Sequence, residues 1–172
     1  APVEASIEGA ALAYTENDGA VAITATLAVT DLDDTNMESA IVQITTNYQN
    51  GEDVLAFTDQ NGISGVWTVG TGTLTLTGTA TLANYETALR SLTYENTSDA
   101  PSTLTRTVSF TVNDGDVDSN TQTRDIAVTA VNDAPVEASI EGAALAYTEN
   151  DGAVAITATL AVTDLDDTNM ES

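Results

Sequence analysis

Carboxylates are the side chains best placed to do chemistry in this sequence. It holds 27 Asp and Glu residues against three basic ones (Arg90, Arg106 and Arg124), and it has no Cys, His or Lys. The acids gather in four places: Glu16-Asn-Asp18, Asp31-Leu-Asp33-Asp34, Asp114-Gly-Asp116-Val-Asp118 and Asn132-Asp133. Grouped carboxylates repel one another, and removing several charges from water is costly, so such a cluster is relieved by a hard cation. Calcium takes roughly six to eight oxygens from Asp, Glu, Asn and backbone carbonyls, and suits flexible acidic turns better than magnesium does. One isolated Asp pair reads as a solvated turn; four clusters at strand ends read as cation sites.

The same composition removes other functions. A formal charge of −24 repels nucleic acid and anionic membranes. Without Cys, His or Lys there are no disulfides, no thiolate or imidazole metal sites, no His-based acid–base catalysis and no Schiff base. A carboxylate-pair glycosidase would need a cleft, and no cleft-forming insertion accompanies the acids, so the chain is read as a non-enzyme. An EF-hand fits Asp114, Asp116 and Asp118 as its first ligands and Asp125 as its twelfth position. Ser119 replaces the turning Gly, however, and an extended stretch after Asn120 carries Asp125 away from the loop.

The elements that must position these acids are strands. From Ala20 to Thr30, Val21, Ile23, Ala25, Leu27 and Val29 alternate with Ala and Thr, which predicts one half-buried strand. The same period predicts strands near Ser39 to Tyr48, Asp53 to Thr58, Gly65 to Val69, Thr73 to Thr77, Ser91 to Tyr94, Leu104 to Val112 and Thr123 to Val131. Asn50-Gly51, Asn61-Gly62 and Asn113-Asp-Gly115 supply turns between them. Leu82, Tyr85, Leu89 and Leu92 instead recur every three or four residues behind Thr81, a pattern for one short helix with Thr81 as N-cap. The fold expected is all-β: an antiparallel Ig-like Greek-key sandwich with one short helix, with Trp67, Phe57, Phe110 and Tyr94 as its large core residues.

Ala1 to Ser39 recurs without a substitution as Ala134 to Ser172. This offset of 133 marks a tandem array, with a complete repeat over 1–133, a linker over 131–135 (Val131-Asn-Asp-Ala-Pro135) and a partial second repeat over 134–172. The linker Pro lacks an N–H and fixes an extended entry into the next copy. Ala1 corresponds to Ala134, so its own Asn-Asp pair is expected upstream in a preceding repeat, and targeting segments are expected elsewhere in a longer product. In a sandwich, Asp31, Asp33, Asp114 and Asp116 converge on the N-terminal end of the unit. Glu16 faces the opposite end with Asn132 and Asp133, where it meets Asp164 and Asp166 of the following copy.

Val131-Asn-Asp-Ala-Pro-Val136, Tyr14-Thr-Glu-Asn17, Val29-Thr-Asp-Leu-Asp33, Leu89-Arg-Ser-Leu-Thr-Tyr94 and Arg106-Thr-Val-Ser-Phe-Thr-Val-Asn-Asp-Gly115 together resemble the cadherin-like repeats of large bacterial surface adhesins. The resemblance covers the whole 133-residue unit. It implies calcium-binding sandwiches strung into arrays, with Glu16, Asp133, Asp164 and Asp166 as junction ligands beside Asn132. Asp31, Asp33 and Asp114 would do the same for an upstream neighbour. The leading reading is an extracellular, cell-surface spacer whose partners are adjacent repeats of the same chain. A filament or surface-layer subunit that pairs with other copies of itself, and a glycan-binding adhesion module using Tyr48, Tyr85 or Trp67, remain as alternatives; cell-surface glycans would otherwise be met through other domains.

Overall fold

The computed structural model describes residues 1–167 and Asn169; Thr168, Met170, Glu171 and Ser172, the end of the second copy, lie outside the described residues. The chain forms two compact units, Ala1–Val131 and Asn132–Ser172.

Strong alternation along the longest strands builds the first unit. Its elements in order are β1 (Val3–Ala5), β2 (Leu12–Thr15), β3 (Val21–Ala22), β4 (Ala28–Thr30), β5 (Asn36–Thr46), β6 (Asp53–Ala56), β7 (Ser64–Thr68), β8 (Thr73–Thr81), α1 (Leu82–Arg90), β9 (Thr93–Asn96), β10 (Arg106–Asn113) and β11 (Gln122–Thr129). Arg106, Val108, Phe110 and Val112 of β10 all point inward, beside Ala40, Val42 and Ile44 of β5 and Leu74 and Leu76 of β8. These strands belong to a six-stranded sheet of order β2-β11-β10-β5-β8-β7, accompanied by a three-stranded sheet β3-β9-β6 and a ribbon β1-β4. The core takes Leu55 and Tyr94 from the smaller sheet, and the Tyr94 ring meets Tyr14 edge-on at a centroid distance of 5.0 Å. The unit is thus an all-β, Ig-like sandwich with one short helix.

That helix forms as its spacing predicts. The Thr81 side chain accepts the Asn84 N–H at 3.3 Å, satisfying one of the free donors of the first turn, and Tyr85, Ala88 and Leu89 are buried. Three expectations are corrected. The single strand over Ala20 to Thr30 is broken into β3 and β4, because the Thr24 hydroxyl accepts the Thr26 and Leu27 N–H groups and turns the chain. Sheet order is not wholly antiparallel, since β2 pairs parallel with β11. Trp67 and Phe57 pack against the core from its rim and are only partly buried, β7 being the last strand of its sheet.

Gly78 marks the closest backbone approach. Two residues of β8, Gly78 and Thr79, oppose the single residue Glu38 of β5 in a bulge. Gly78 has φ of +133°, and a Cβ there would lie 2.2 Å from the Gly62 carbonyl oxygen. Gly78→Ala is expected to cost at least the ~1–3 kcal/mol of a strained backbone position, read as a lower urea midpoint. Gly70→Ala, which meets nothing within 4 Å, should leave the midpoint nearly unchanged.

In the second unit β12 (Val136–Ala138) pairs with β13 (Ala161–Thr163), and Val136↔Thr163 repeats the Val3↔Thr30 register of β1 and β4. No helix among the described residues is long and apolar enough to cross a membrane.

Candidate metal sites at the acidic ends

Asp31 follows β4 and Asp114 follows β10, and each closes a tight turn with one of its two oxygens. Asp31 Oδ1 accepts the N–H groups of Asp33 at 3.1 Å and Asp34 at 3.3 Å. Asp114 Oδ1 accepts those of Asp116 at 2.9 Å and Val117 at 2.8 Å. These Asx turns fix both side chains with their second oxygens turned elsewhere. Near the start of the unit, Asp31 Oδ2, Asp114 Oδ2 and Asp33 Oδ1 converge around the Ala1 nitrogen, at 3.7, 3.9 and 3.6 Å.

Asp31 and Asp114 have buried side chains, whereas Asp33 and Asp34 are exposed. The Asp31 side chain has no exposure, and its Oδ2 is buried without a hydrogen-bond partner. Carboxylate oxygens of Asp31, Asp33 and Asp34 all lie within 4.8 Å of one another. The backbone N–H of Asp33, with further bonds from Asp33 and Asp34, holds the Asp31 carboxyl down at about 2. The N–H groups of Val117 and Asp116 lower Asp114 likewise. Asp34 is pushed up, first by desolvation and then by the charges of Asp114, Asp33, Asp31 and Asp116. An all-oxygen donor set with an unpartnered buried oxygen fits a hard cation such as calcium. Asp116 contributes its field from the same loop, whereas Asp118 Oδ1 is engaged by Asn113 Nδ2 at 2.7 Å. Asp125 lies on β11, where it accepts the Thr107 hydroxyl at 2.8 Å, away from any loop of EF-hand kind.

Glu16 lies at the other end of the first unit. Its N–H donates to the Thr129 carbonyl at 2.9 Å, and its Oε2 accepts the Val131 N–H at 2.8 Å. Glu16 Oε1 is buried and has no partner.

The second unit repeats the first arrangement with its linker in place. Asp164 Oδ1 accepts the N–H groups of Asp166 at 3.2 Å and Asp167 at 3.1 Å, and Asp166 Oδ2 accepts the Asp133 N–H at 3.1 Å. Asn132 Nδ2 donates to the Asp133 carbonyl at 2.6 Å, and Asp133 Oδ2 is buried without a partner. The closeness of the two side chains lowers Asp164 and raises Asp166. Asn132, Asp133, Asp164 and Asp166 are therefore gathered within one unit.

Glu4 escapes the sequence reading, and Asp34, named there within an acidic run, is not among its candidate ligands. Asp34 belongs to the first cluster, and its place in the Asp31-to-Asp34 run is the signal that finds it. Glu4 is 1% exposed, with both carboxylate oxygens buried and unpartnered. Burial pushes it up to about 7 against a smaller lowering by the Gln122 backbone N–H, while the Gln122 side-chain amide donates to the Glu4 carbonyl at 3.1 Å. Its backbone is stitched to the segment after the Asp114 turn by Asn120, which both accepts the Glu4 N–H and donates to the Glu4 carbonyl at 2.9 Å.

No protein-family model matches the chain, and no solved structure matches it. Over 92 residues, 51% of the chain, it is 37% identical to Halomucin of Haloquadratum walsbyi, and this match covers 1% of that protein's length.

Proposed function

We propose that this chain is a non-enzymatic structural repeat of an extracellular surface protein, and that calcium at its acidic ends stiffens the joint between successive repeats. The observation that carries this reading is the buried Oδ2 of Asp31, which accepts no hydrogen bond and is held by an Asx turn that Asp164 reproduces in the next copy. In this reading Asp31, Asp33, Asp34 and Asp114 serve the joint with a preceding repeat, with Asp116 adding negative potential. Glu16, Asn132, Asp133, Asp164 and Asp166 serve the joint that follows. The orphaned oxygens of Glu16 and Asp133 favour the assignment, because a buried anion without a donor is costly unless a cation satisfies it. The very small fraction of its relative that the chain covers accords with one module of a long assembly.

The test is calcium titration of the whole chain, followed by small-angle scattering and thermal unfolding. A dissociation constant on the order of 0.1–1 mM suits an extracellular module. At a hundredfold excess over that constant, binding to the folded state adds about 2.7 kcal/mol. Maximum dimension and thermal midpoint should both change with calcium and revert with chelator; indifference of both to either reagent would sink the proposal. Asp31→Asn is expected to weaken binding at the first cluster about tenfold or more, whereas Asp125→Asn should not alter the titration. Isothermal calorimetry at matched ionic strength separates the two.

A further inference from the structure

The larger sheet has an uncharged tract on its outer face, although the chain carries 27 acids. Residues 39–43 of β5, 60–81 through β7 and β8, and 109–113 of β10 contain no Asp, Glu, Lys or Arg. Their outward side chains form rows across the strands: Val66 opposes Thr75, Thr75 opposes Ile41, and Ile41 opposes Thr111.

A groove of about 370 Å³ opens on this tract over β5 and β10, a volume within the ~300–1,000 Å³ of small-molecule sites. Ile41, 49% exposed, gives it an apolar patch, and Ser39, Gln43, Ser109 and Thr111 supply hydroxyls and an amide around it. One wall is the segment 118–121, which is pinned to the end of β10. The Ser119 N–H donates to the Val112 carbonyl at 2.8 Å, and the Ser119 hydroxyl accepts the Val112 N–H at 3.1 Å. Asn113 Nδ2 donates to Asp118 Oδ1 at 2.7 Å, and the Thr111 and Thr121 hydroxyls meet at 3.2 Å. A wall already in place costs little to order when a ligand binds. Gln43 spends its Nε2 on the Thr71 carbonyl at 3.1 Å, which leaves its Oε1 to accept, and Asp118 likewise keeps its Oδ2.

The lining selects the ligand. No basic residue among the described residues lines the groove, and Arg90, Arg106 and Arg124 are paired elsewhere. With a chain charge of −24, an anionic ligand is repelled. A wholly apolar ligand would strand the hydroxyls and amides without partners. A ligand with many hydroxyls and no charge fits: its O–H groups donate to Gln43 Oε1 and Asp118 Oδ2, its oxygens accept from the Ser and Thr hydroxyls, and its C–H face lies on Ile41. The uncharged rows running on to β7 give a chain of such units room to pass beyond the groove. We infer that this groove binds a segment of a neutral polysaccharide. The aromatic rings that the sequence offers for sugar stacking are engaged otherwise. Tyr85 is buried with its hydroxyl donating to the Gly78 carbonyl at 2.8 Å, and Tyr48 meets Trp67 edge-on at a centroid distance of 6.1 Å. The inference does not rest on calcium.

The probes are neutral hexasaccharides of glucose, galactose, mannose and N-acetylglucosamine, with a hexamer of galacturonic acid as the anionic control. Each is titrated with chelator present into the whole chain up to about 10 mM, tenfold above a ~1 mM dissociation constant, and backbone amide shifts are followed by NMR. At least one neutral probe is expected to shift amides of residues 39–43, 109–113 and 118–121 saturably. Ile41→Glu should weaken that binding tenfold or more. Val66→Glu, a similar change on the same face two strands away, should leave it unaltered. Where Ile41→Glu disturbs amides outside the groove, Gln43→Ala with Asp118→Asn makes the same test, because Asn at 118 still accepts from Asn113. Groove shifts lost in either groove variant and kept in Val66→Glu support the inference. Absence of groove shifts with every neutral probe, equal affinity in the groove variants, or equal binding of the galacturonic acid hexamer overturns it.

Discussion

Arg106→Ala is expected to remove a large share of the stability of the first unit. Arg106 and Asp53 are both fully buried, with Arg106 Nε 3.2 Å from Asp53 Oδ2. The guanidinium also donates to the Leu104 carbonyl at 2.6 Å and to the Ser102 carbonyl, fixing the chain that leads into β10. Asp53 accepts the Tyr94 hydroxyl and Asn96 Nδ2, both at 2.7 Å, and the Gln49 N–H at 2.8 Å. Removing one partner of a buried pair leaves an uncompensated charge and costs about 3–5 kcal/mol, against total stabilities of about 5–15 kcal/mol for native proteins. Asp53→Ala should cost a similar amount, since it strands the guanidinium and three other donors. The double variant should cost clearly less than the two single ones together, because each single change already destroys the pair. Urea unfolding of all four proteins gives the cycle; strict additivity would show that the pair is not coupled.

Glu4→Gln is expected to stabilise the protein, and only at the alkaline side. Folding raises the Glu4 carboxyl from the usual 4.5 to about 7, through burial. A raised acid binds its proton more tightly when folded, so stability is full below about 4.5, declines as pH rises to about 7, and is flat beyond. At 1.36 kcal/mol per unit, the loss above that window is on the order of 3 kcal/mol. Gln keeps the shape and removes the charge, so it should recover about 2–3 kcal/mol near pH 8 and little near pH 4. Urea midpoints across this range test it; equal gains at both ends would show that the charge is not responsible. The Asp31 carboxyl acts in the opposite sense: its stabilisation is present above its ordinary 3.8 and is lost as pH falls through about 2.

Much of this was legible because local pattern and global role agree. In β10 every second residue is buried, so period alone places Val108, Phe110 and Val112. Thr81 announces α1 because a hydroxyl at that spacing has a free donor to satisfy. The break at Thr24 was not legible, since Thr also favours strands, and what turns it here is a hydroxyl bonded to Glu8, sixteen residues away. Parallel pairing of β2 was hidden because its partner, β11, lies at the far end of the unit. Glu4 was missed because a charged residue in an extended stretch reads as facing water, whereas it sits on the inward side of β1. In the acidic turns, the loops carrying Asp31 and Asp114 could be brought together from strand direction, but an orphaned oxygen shows only once neighbours have coordinates.

The parallel pairing of β2 and β11 has a mechanical consequence. β2 lies near the start of the first unit and β11 near its end, and Leu12, Ala13, Tyr14 and Thr15 match Ile126, Ala127, Val128 and Thr129 in register. Tension applied across the unit pulls these two strands in opposite directions along their length. Their hydrogen bonds are then loaded in shear, all together, rather than opened one at a time as in a peeled hairpin. Resistance to pulling is governed by the unfolding rate rather than by equilibrium stability, so this pairing sets how the unit responds to load independently of its equilibrium stability.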